Sequence, residues 1–432
     1  MKKKIVYVGM SADIIHNGHI ELIKFAKKYG TVIVGLLTDK AISSYKSFPH
    51  LNFNQRLNII KNIKFVTKVI PQDTLDYSKN LKKLKPDYVA HGDDWKVGIQ
   101  SKVRAKVIKL LNKWNGRLIE KKYTENISST KIKNELKKMG TLPDLRRSKF
   151  KRLLNEKKLL KVIECHNPIS AMIGENSFYE KKGRRHEFDA LWSSSLTDSV
   201  SRGMEDNQSV DYSVRISGVS DIFNVTTKPL IFDIDNGGKI EHLGNTIKKL
   251  ENLGVSAIVM EDKVGLKRNS LFDDQKNVQQ DTIKNFSKKI KKIVNTRIDD
   301  NFLVVSRIES LILGKSLGDA LKRAKSYCDA GTDAVLIHSK QKTPSEIVKF
   351  IKRFKKTKYS HIPVFCVPSS YPSVSEKELE NLGFNVVIYA NHLLRTAYLN
   401  MKKTCNAILK DGSAKKVNKK ISSIKEILNL IN

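Results

Sequence analysis

The 432-residue sequence predicts an α/β protein in which a doubly wound parallel sheet is followed by a (β/α)8 barrel. Two observations lead to this fold class. From Ile5 to about Ala90, short β-rich runs alternate with amphipathic helical segments, as in parallel β-α units. Beyond about residue 150, eight more strand-like runs end in polar residues, and most of them precede a helical segment. Eight such units are the number that closes a barrel.

The first predicted domain covers residues 1–140. Its alternating segments are Ile5–Val8, Ile20–Lys28, Thr31–Leu37, Gln55–Ile63, Lys68–Ile70 and Tyr88–Ala90. A strand near Gly116–Glu120 and a helix from Ser129 to Lys138 complete it. Residues 141–150 combine Pro143 with charged residues, and we interpret them as a linker.

The second predicted domain covers residues 151–432. Its strands are Val162–Cys165, Ala190–Ser194, Leu230–Asp235, Ala257–Asp262, Phe302–Glu309, Ala334–Ser339, Val364–Ser369 and Val386–Asn391. In a barrel of this kind the active site lies at the carboxyl ends of the strands. Residues able to do chemistry fall at those ends, namely Ser194, Asp233, Asp235, Glu261, Lys263, Arg307, Glu309, His338, Ser339, Asn391 and His392.

The formal charge of +36 first suggests nucleic-acid binding, because lysine and arginine release counterions from a phosphate backbone. The lysines are spread over almost every predicted helix, however, and no helix-turn-helix, RNP or zinc-finger pattern accompanies them. We therefore discount specific nucleic-acid binding and expect a solvated surface that steers small anionic substrates.

Cysteine usage and hydropathy favour a reduced, cytoplasmic protein without a membrane partner. The four cysteines are far apart and form no CxxC pair, which argues against a zinc knuckle or a disulfide scaffold. The apolar run behind Lys4 ends at Ser11, too early for a signal peptide. No later apolar stretch approaches the roughly 20 residues that span a bilayer.

Two motifs in the first domain suggest a nucleotide site. His16 and His19 share one face of the first helix, and Gly18 lets a phosphate approach backbone N–H groups there. Ser128, Ser129 and Thr130 place three hydroxyls at the start of the last helix, where they suit a β,γ-phosphate tail. Nucleotidyl transfer needs such donors around the phosphates. The alternatives are a pair of surface histidines and an ordinary N-cap.

These motifs resemble the HxGH cytidylyltransferase family over about residues 4–138. The matching stretches are HNGH, VGLLTD (Val34 to Asp39), Lys46, the helix with Arg56, HGDDW (His91 to Trp95) and ISSTKI. The resemblance implies CTP as nucleotide and Mg2+ as its escort. It also implies that His16 and His19 stabilise the transition state, Lys46 contacts phosphate and the Ser128–Thr130 hydroxyls hold the triphosphate. Where the family often has an arginine, this chain has Tyr123, so a structural, non-catalytic domain is an alternative.

A loop in the second domain suggests phosphoryl chemistry. The segment Glu261–Ser270 leaves a strand with a carboxylate and then carries the cation Lys267 and the carboxamide Asn269. Such a loop can close over a phosphoryl group and exclude water. Arg307 supplies a planar donor for a phosphonate or carboxylate, and a salt-bridged barrel residue is its alternative.

Four carboxylates are predicted to cluster in the barrel, those of Asp206, Asp233, Asp235 and Glu261. They repel one another unless a divalent ion joins them, and hard oxygen ligands favour Mg2+ over zinc. The alternative to a metal site is that Asp233 and Asp235 only form an ordinary turn at the end of their strand.

Together these residues resemble the phosphoenolpyruvate mutase and isocitrate lyase superfamily over about residues 150–430. The loop EDK-x-x-x-K-x-N-S is similar to that of the mutases, whereas the hydrolases tend to carry Thr at the Asn269 position and the lyases have a KKCGH-type loop. Ser195 stands where mutases have Gly. The resemblance implies isomerisation of phosphoenolpyruvate to 3-phosphonopyruvate with Mg2+. A phosphonopyruvate hydrolase or related lyase on the same barrel is the alternative.

The resemblance also implies residue roles. Asp233 would bind Mg2+ directly, and Asp235, Glu261 and Asp206 would act through water. The pyruvyl unit would be cradled by Trp192, Ser194, Ser195 and Leu196. The phosphoryl and carboxyl ends would be held by Arg307 and His338. The migrating group would be capped by Asn269 and Lys267, with Asp206 as a transient phosphoryl acceptor.

The domain order resembles that of bifunctional enzymes of phosphonate biosynthesis, such as one in the fosfomycin pathway. It implies that the first domain transfers CMP from CTP to a phosphonate acceptor. We also expect a homodimer or homotetramer. The apolar stripe Ile421, Ile424, Ile427 and Leu428 would join subunits or cap its own barrel.

Overall fold

The computed structural model describes residues 3–96, 100–122, 142–181, 184–265, 267–270, 275 and 278–431. The chain divides into two compact units. One unit comprises Met1–Met139 and Phe178–His186, and the other comprises Gly140–Ser177 and Glu187–Asn432.

The first unit is built on a five-stranded parallel sheet with the strand order β3-β2-β1-β4-β5. Its strands and helices are β1 Ile5–Met10, α1 Asn17–Lys27, β2 Thr31–Leu37, α2 Asp39–Ser43, α3 Phe53–Lys61, β3 Val66–Gln72, α4 Ser78–Leu84, β4 Tyr88–Gly92, α5 Gln100–Leu111 and β5 Arg117–Lys121. Two short 3-10 helices, Asp93–Lys96 and Asn112–Trp114, flank α5. The predicted doubly wound sheet is confirmed.

Both faces of this sheet are covered, as the apolar runs of its central strands require. Val6 and Val8 of β1 belong to one core cluster, whereas Tyr7 belongs to another. The strand order reverses beside β1, and ligands of open α/β sheets bind at the carboxyl ends of strands at such a point. The histidine motif follows β1 directly, so the topology places it there.

The second unit contains a closed barrel of eight parallel strands. Around the barrel they are β6 Leu160–Glu164, β9 Ala190–Ser193, β10 Leu230–Asp233, β11 Ala257–Glu261, β14 Leu303–Ile308, β15 Ala334–Ile337, β16 Val364–Cys366 and β17 Val386–Tyr389. A two-stranded pair, β12 Lys263–Val264 with β13 Gln279–Gln280, also belongs to this unit. The other two-stranded pair is β7 Phe178–Lys181 with β8 Arg184–Glu187, and its residues up to His186 are grouped with the first unit. Each predicted barrel strand is present, so the (β/α)8 prediction is confirmed.

The helices of the second unit mostly cover the barrel with one apolar stripe, but the last two have no buried residue. The helices of this unit are α6 Pro143–Glu156, α7 Pro168–Asn176, α8 Ser195–Val200, α9 Tyr212–Phe223, α10 Ile240–Leu253, α11 Ile283–Thr296, α12 Leu317–Asp329, α13 Ser345–Phe354, α14 Glu376–Leu382, α15 His392–Asp411 and α16 Ile424–Ile431. In α11, for example, Phe286, Ile290 and Ile293 recur at helical spacing and are fully buried.

Helix α6 includes most of the stretch that we interpreted as a linker. Pro143 stands in its first turn, where a missing N–H costs nothing. Phe150 is fully buried, and Arg146 stacks on the Phe223 ring at 3.6 Å. Arg147 is paired with Asp299 at 2.7 Å. The charged residues that suggested a linker are therefore partners in a packed helix.

The C-terminal stripe is exposed. Ile421, Ile424 and Leu428 are 50%, 77% and 52% exposed, so they do not cap the barrel in this chain. The predicted dimer or tetramer stays a prediction. Within the described part of the chain, no helix has both the length and the apolar character needed to cross a membrane.

Candidate functional site

The two histidines of the first unit lie in contact at the start of α1. Their ring centroids are 4.1 Å apart, and the His16 backbone N–H points to His19 Nδ1 at 3.4 Å. Burial, followed by the nearby charges of His16 and Lys46, lowers the pKa of His19 to about 3. Burial also lowers the pKa of His16. At neutral pH both rings are therefore uncharged hydrogen-bonding groups.

Lys46 lies at the same end of the sheet, where its Nζ donates to Ser11 Oγ at 2.8 Å. Arg56 is fully buried and donates to the carbonyls of Ser11 and Leu37 at 2.6 and 2.7 Å. It also pairs with Asp39 at 2.5 Å. Arg56 thus fixes the backbone on which Lys46 and the histidines depend.

The HGDDW segment is largely structural. The rings of His91 and Trp95 are stacked with centroids 3.8 Å apart, and Trp95 Nε1 donates to Glu120 at 2.7 Å. The predicted phosphate-binding residues Ser128, Ser129 and Thr130, and the departure at Tyr123, lie outside the described residues.

In the second unit, residues from several strand ends and loops line one small cavity of about 60 Å³. The predicted residues that line it are Trp192, Ser194, Leu196, Asp206, Asp233, Lys267, Asn269, Arg307 and His338. The other lining residues are Ser270, Leu336, Val367, Ser369, Ala390 and Asn391. The carboxyl ends of the barrel strands therefore meet as predicted.

The ammonium group of Lys267 lies among the carboxylates. Its Nζ is 2.5 Å from Asp235 Oδ1 and 3.1 Å from Asp206 Oδ1. Asp233 Oδ2 is 3.8 Å away, and Ser195 Oγ accepts a hydrogen bond from the same group. Burial alone would lower the pKa of Lys267, but the negative charges of its neighbours raise it above its ordinary value. The lysine therefore stays charged.

The end of strand β10 fixes the two strand-end aspartates. Ser195 Oγ donates to Asp233 Oδ2 at 3.0 Å, and the Asp235 backbone N–H donates to Asp233 Oδ1 at 3.0 Å. Asp235 has a positive φ of 49°, a conformation that is uncommon outside glycine but tolerated by aspartate. Asp233 lines the cavity, whereas the predicted residues Asp235, Ser195 and Glu261 are not among its lining residues.

Arg307 and His338 form the opposite wall. Arg307 Nε is 2.6 Å from Glu309, and its Nη2 is 3.5 Å from Glu261 Oε2 and 3.4 Å from His338 Nδ1. Burial, followed by the charge of Arg307, lowers the pKa of His338 to about 3. Burial raises the pKa of Glu261 to about 7. The wall thus offers one fixed cation and one neutral imidazole.

Asn269 connects the loop after β12 to this cavity. Its amide donates to Asp206 Oδ2 at 2.8 Å, while Lys267 holds the other oxygen of the same carboxylate. The predicted capping residues therefore lie beside the predicted acceptor.

Two family models match the chain. The phosphoenolpyruvate phosphomutase model matches residues 150–409, and the cytidylyltransferase-like model matches residues 7–135. The chain belongs to the phosphoenolpyruvate mutase family. Its N-terminal unit is a cytidylyltransferase-like domain.

Curated relatives agree with this membership. A phosphoenolpyruvate phosphomutase of Tetrahymena pyriformis is 35% identical over 66% of this chain and 90% of its own length. A phosphonopyruvate hydrolase of Variovorax sp. is 33% identical over 64% of this chain and 91% of its own length. The family thus includes relatives with two different named activities at similar identity.

Solved structures resemble the same part of the chain. A phosphoenolpyruvate phosphomutase from Streptomyces platensis subsp. rosaceus is 29% identical with a TM-score of 0.61, covering 66% of this chain and 94% of that one. A phosphonopyruvate hydrolase solved with oxalate and Mg2+ is 31% identical with a TM-score of 0.59 and the same coverage.

Ser270 is a site residue of this mutase-family barrel to which sequence reasoning gave no role. Its Oγ accepts from Lys263 Nζ and Arg307 Nη2, both at 2.8 Å, and donates to Glu309 Oε2 at 2.7 Å. These bonds tie the loop that carries Asn269 to the opposite wall. Its position directly after Asn269 in the loop motif was the signal that could have found it.

A buried ion pair behind the carboxylates was also missed. Arg215 of α9 is 2% exposed, and its guanidinium is 3.0 Å from Asp198 Oδ2 and 3.4 Å from Asp235 Oδ2. Asp198 also accepts from Ser193 Oγ at 3.0 Å. No spacing in the sequence indicates that helices α8 and α9 face each other here.

Proposed function

We propose that the barrel isomerises phosphoenolpyruvate to 3-phosphonopyruvate and uses Mg2+ as its cofactor. The observation that carries this proposal is the convergence of Asp233, Lys267, Asn269, Arg307 and His338 on one small cavity. Carboxylates form one side of that cavity and anion-binding groups form the other. The carboxylate side would hold the metal ion that binds the pyruvyl unit, and the anion-binding side would hold the phosphoryl group as it moves.

The residues present fit a magnesium ion. Asp206 Oδ1, Asp235 Oδ1 and Glu261 Oε2 are buried oxygens without a hydrogen-bond partner among the described residues, although cations lie near them. Carboxylate oxygens are ligands that Mg2+ prefers. Among the side chains that the structure describes, no three His, Cys, Asp or Glu residues are arranged to ligate one ion. We therefore propose that Asp233 binds directly and that Asp235, Glu261 and Asp206 act through water.

In the proposed reaction the P–O bond of phosphoenolpyruvate breaks, and a new P–C bond forms at C3 without net proton transfer. When bound, Mg2+ would supply Lewis-acid stabilisation of the pyruvyl oxygens. Backbone N–H groups at Ser194–Leu196, with Trp192, would hold the same oxygens. A loose, metaphosphate-like group needs donors on its equatorial oxygens.

Arg307, His338 and Asn269 would supply those donors. His338 Nε2 is buried and has no partner among the described residues, and the ring is neutral at pH 7. Asn269 donates to the Asp206 carboxylate at 2.8 Å and would hold it beside the migrating group. We propose that Asp206 stabilises this group transiently while it turns from oxygen to carbon.

Water must be excluded, because water that reached the phosphoryl group would hydrolyse it. A substrate bound in the cavity of about 60 Å³ would displace the water that the cavity can hold. The Ser270 contacts hold the loop residues against Arg307 and Glu309. We propose that these contacts favour rearrangement over hydrolysis.

The test uses the purified chain, phosphoenolpyruvate and Mg2+, with a phosphonopyruvate decarboxylase that pulls the product forward. We expect a phosphonate resonance in the 31P NMR spectrum. Absence of that resonance at an enzyme concentration that binds substrate would reject the proposal.

The second candidate is phosphonopyruvate hydrolysis on the same barrel, and the 33% identity to a named hydrolase favours it. Direct release of pyruvate and phosphate from phosphonopyruvate, with no phosphoenolpyruvate formed, would select it. Asn269 in the loop supports the mutase instead.

We further propose that the cytidylyltransferase-like domain transfers CMP from CTP to a phosphonate acceptor. The neutral pair His16 and His19 and the nearby Lys46 support this role. A screen of phosphonates with CTP and Mg2+ tests it by pyrophosphate release. No release with any acceptor would favour a structural domain.

A further inference from the structure

We propose that Lys267 is an exchangeable occupant of the metal site. In the metal-free protein its ammonium group holds the carboxylates together, and a divalent cation must displace it in order to bind. This inference rests on the proposed magnesium site and adds a competition between the protein's own cation and the metal.

Carboxylates from separate segments converge on one Nζ atom. Asp235 Oδ1, Asp206 Oδ1 and Asp233 Oδ2 lie 2.5, 3.1 and 3.8 Å from it. Lys267 is only 9% exposed. The ammonium group thus fills the space between the carboxylates that the proposed metal ion and its water ligands would occupy.

The charges explain why a cation must be there. Three buried carboxylates repel one another strongly where the surroundings are less polarisable than water. Lys267 is the described cation that lies within 4 Å of all three. Without a metal, its positive charge offsets this repulsion at all three carboxylates, and Arg215 adds to it at Asp235.

Asp235 is held by two cations of different kinds. Arg215 meets Oδ2 at 3.4 Å from helix α9, where Asp198 holds it at 3.0 Å. Lys267 meets Oδ1 from the loop between β12 and β13. A helix residue that is paired with two carboxylates cannot leave easily, whereas a loop lysine can. We infer that Arg215 is the permanent partner and Lys267 the replaceable one.

The ammonium and a divalent ion cannot share these oxygens, because their like charges would lie within a few ångströms of each other. Metal binding therefore releases Lys267, and the lysine reduces the apparent metal affinity in proportion to its own occupancy. The released cation lies next to the cavity in which the phosphoryl group would bind. The loop lysine thus becomes available to an anion only after the metal has bound.

The first test is calorimetric titration with Mg2+ in the absence of phosphoenolpyruvate. The variants are Lys267→Met, which removes the competing charge, and Lys289→Met as control. Lys289 donates at 2.7 Å to the carbonyl of Asn236, the residue after Asp235, and its contact there is with a backbone carbonyl and not with a carboxylate. We expect Lys267→Met to bind Mg2+ about tenfold more tightly or better, the size of an ordinary coupling between two ligands. The control should stay close to the natural protein.

Equal or weaker Mg2+ binding by Lys267→Met would overturn the competition. An equal gain in Lys289→Met would also overturn it, because the effect would then be one of general charge. If neither the natural protein nor Lys267→Met binds Mg2+, with or without phosphoenolpyruvate, the proposed metal site itself fails.

A second measurement uses the unaltered protein and does not depend on a variant's folding. Reductive methylation of lysines is followed by mass spectrometry with and without Mg2+. We expect the labelling of Lys267 to rise several-fold with Mg2+, because displacement takes the amine out of its buried cluster. Labelling of Lys289 serves as the internal reference. Unchanged labelling of Lys267 at saturating Mg2+ would contradict the displacement.

Discussion

The carboxylate of Glu309 is fully buried and is stabilised there by three donor groups. Arg307 Nε is 2.6 Å away, Lys263 Nζ is 2.9 Å away, and Ser270 Oγ donates at 2.7 Å. Burial alone would raise the pKa of Glu309, but the charges of Arg307 and Lys263 bring it well below its ordinary value. The carboxylate therefore stays ionised and holds the Arg307 guanidinium from behind. This leaves Arg307 oriented toward the cavity.

Replacing Arg307 by lysine should keep the charge and lose the planar fork. We expect Arg307→Lys to lower kcat/KM for phosphoenolpyruvate by about 100-fold, similar to the loss of one preorganised donor. The coupled decarboxylase assay measures it, with the exposed Arg353→Lys as control. If Arg307→Lys had the same kcat/KM as the natural protein, the planar pair of guanidinium donors would not be needed.

The lowered pKa of His338 predicts that the stability of the folded protein depends on pH. The folded pKa of this histidine is about 3, below the ordinary 6.5, because it is buried beside Arg307. The unfolded chain therefore takes up a proton first as the pH falls. The stability that neutral His338 contributes is complete above pH 6.5 and is lost progressively between pH 6.5 and 3.

Urea unfolding of the natural protein and of His338→Asn between pH 8 and 5 measures this effect. The free energy of unfolding of the natural protein should fall relative to the variant below pH 6.5, by at most about 1.4 kcal/mol per pH unit. A difference that stays constant over the whole range would be the contrary finding.

At the scale of elements, helices α8 and α9 hold the carboxylate cluster from outside the barrel. Arg215 joins Asp198 of α8 to Asp235, which follows β10, and all three side chains are buried. A buried pair of this kind contributes little when intact, but removing one partner leaves uncompensated charge.

We therefore expect Arg215→Met to lower the free energy of unfolding by about 3–5 kcal/mol. The exposed pair Lys79–Asp73 gives a matched control, since Lys79→Met should cost less than about 1 kcal/mol. Urea denaturation followed by circular dichroism measures both. Equal, small losses in the two variants would mean that Arg215 does not hold the cluster.

Most elements could be predicted because their patterns are local. Strands such as Ala257–Glu261 are continuous apolar runs that end in a carboxylate, so the sequence predicted both the strand and the carboxylate at its end. Helix α6 could not be predicted as a packed helix, because Arg146 and Arg147 are buried against residues that are far away in sequence. The Ser270 contacts and the Asp198–Arg215 pair likewise depend on which elements the barrel brings together.

At the scale of the whole molecule, the chain combines two units that each have their own core and their own candidate site. The proposed reactions are not consecutive, because the barrel would make a carbon–phosphorus bond and the first domain would activate a later phosphonate. The two activities should therefore be separable by substitution.

The double variant His16→Asn/His19→Asn should lose CTP-dependent pyrophosphate release by at least about 100-fold, because the donors at the α-phosphate are gone. Its mutase activity should stay within about twofold of the natural protein, as expected for sites that share no residues. Arg307→Lys should show the reverse pattern. Parallel loss of both activities in either variant would argue that the sites are coupled.

The most direct test of the barrel's proposed chemistry starts from phosphonopyruvate with Mg2+ and follows the 31P spectrum together with pyruvate formation. We predict conversion of the phosphonate resonance into that of phosphoenolpyruvate without free pyruvate, and loss of the conversion in Asp233→Asn. Immediate release of inorganic phosphate and pyruvate, with no phosphoenolpyruvate resonance, would contradict it.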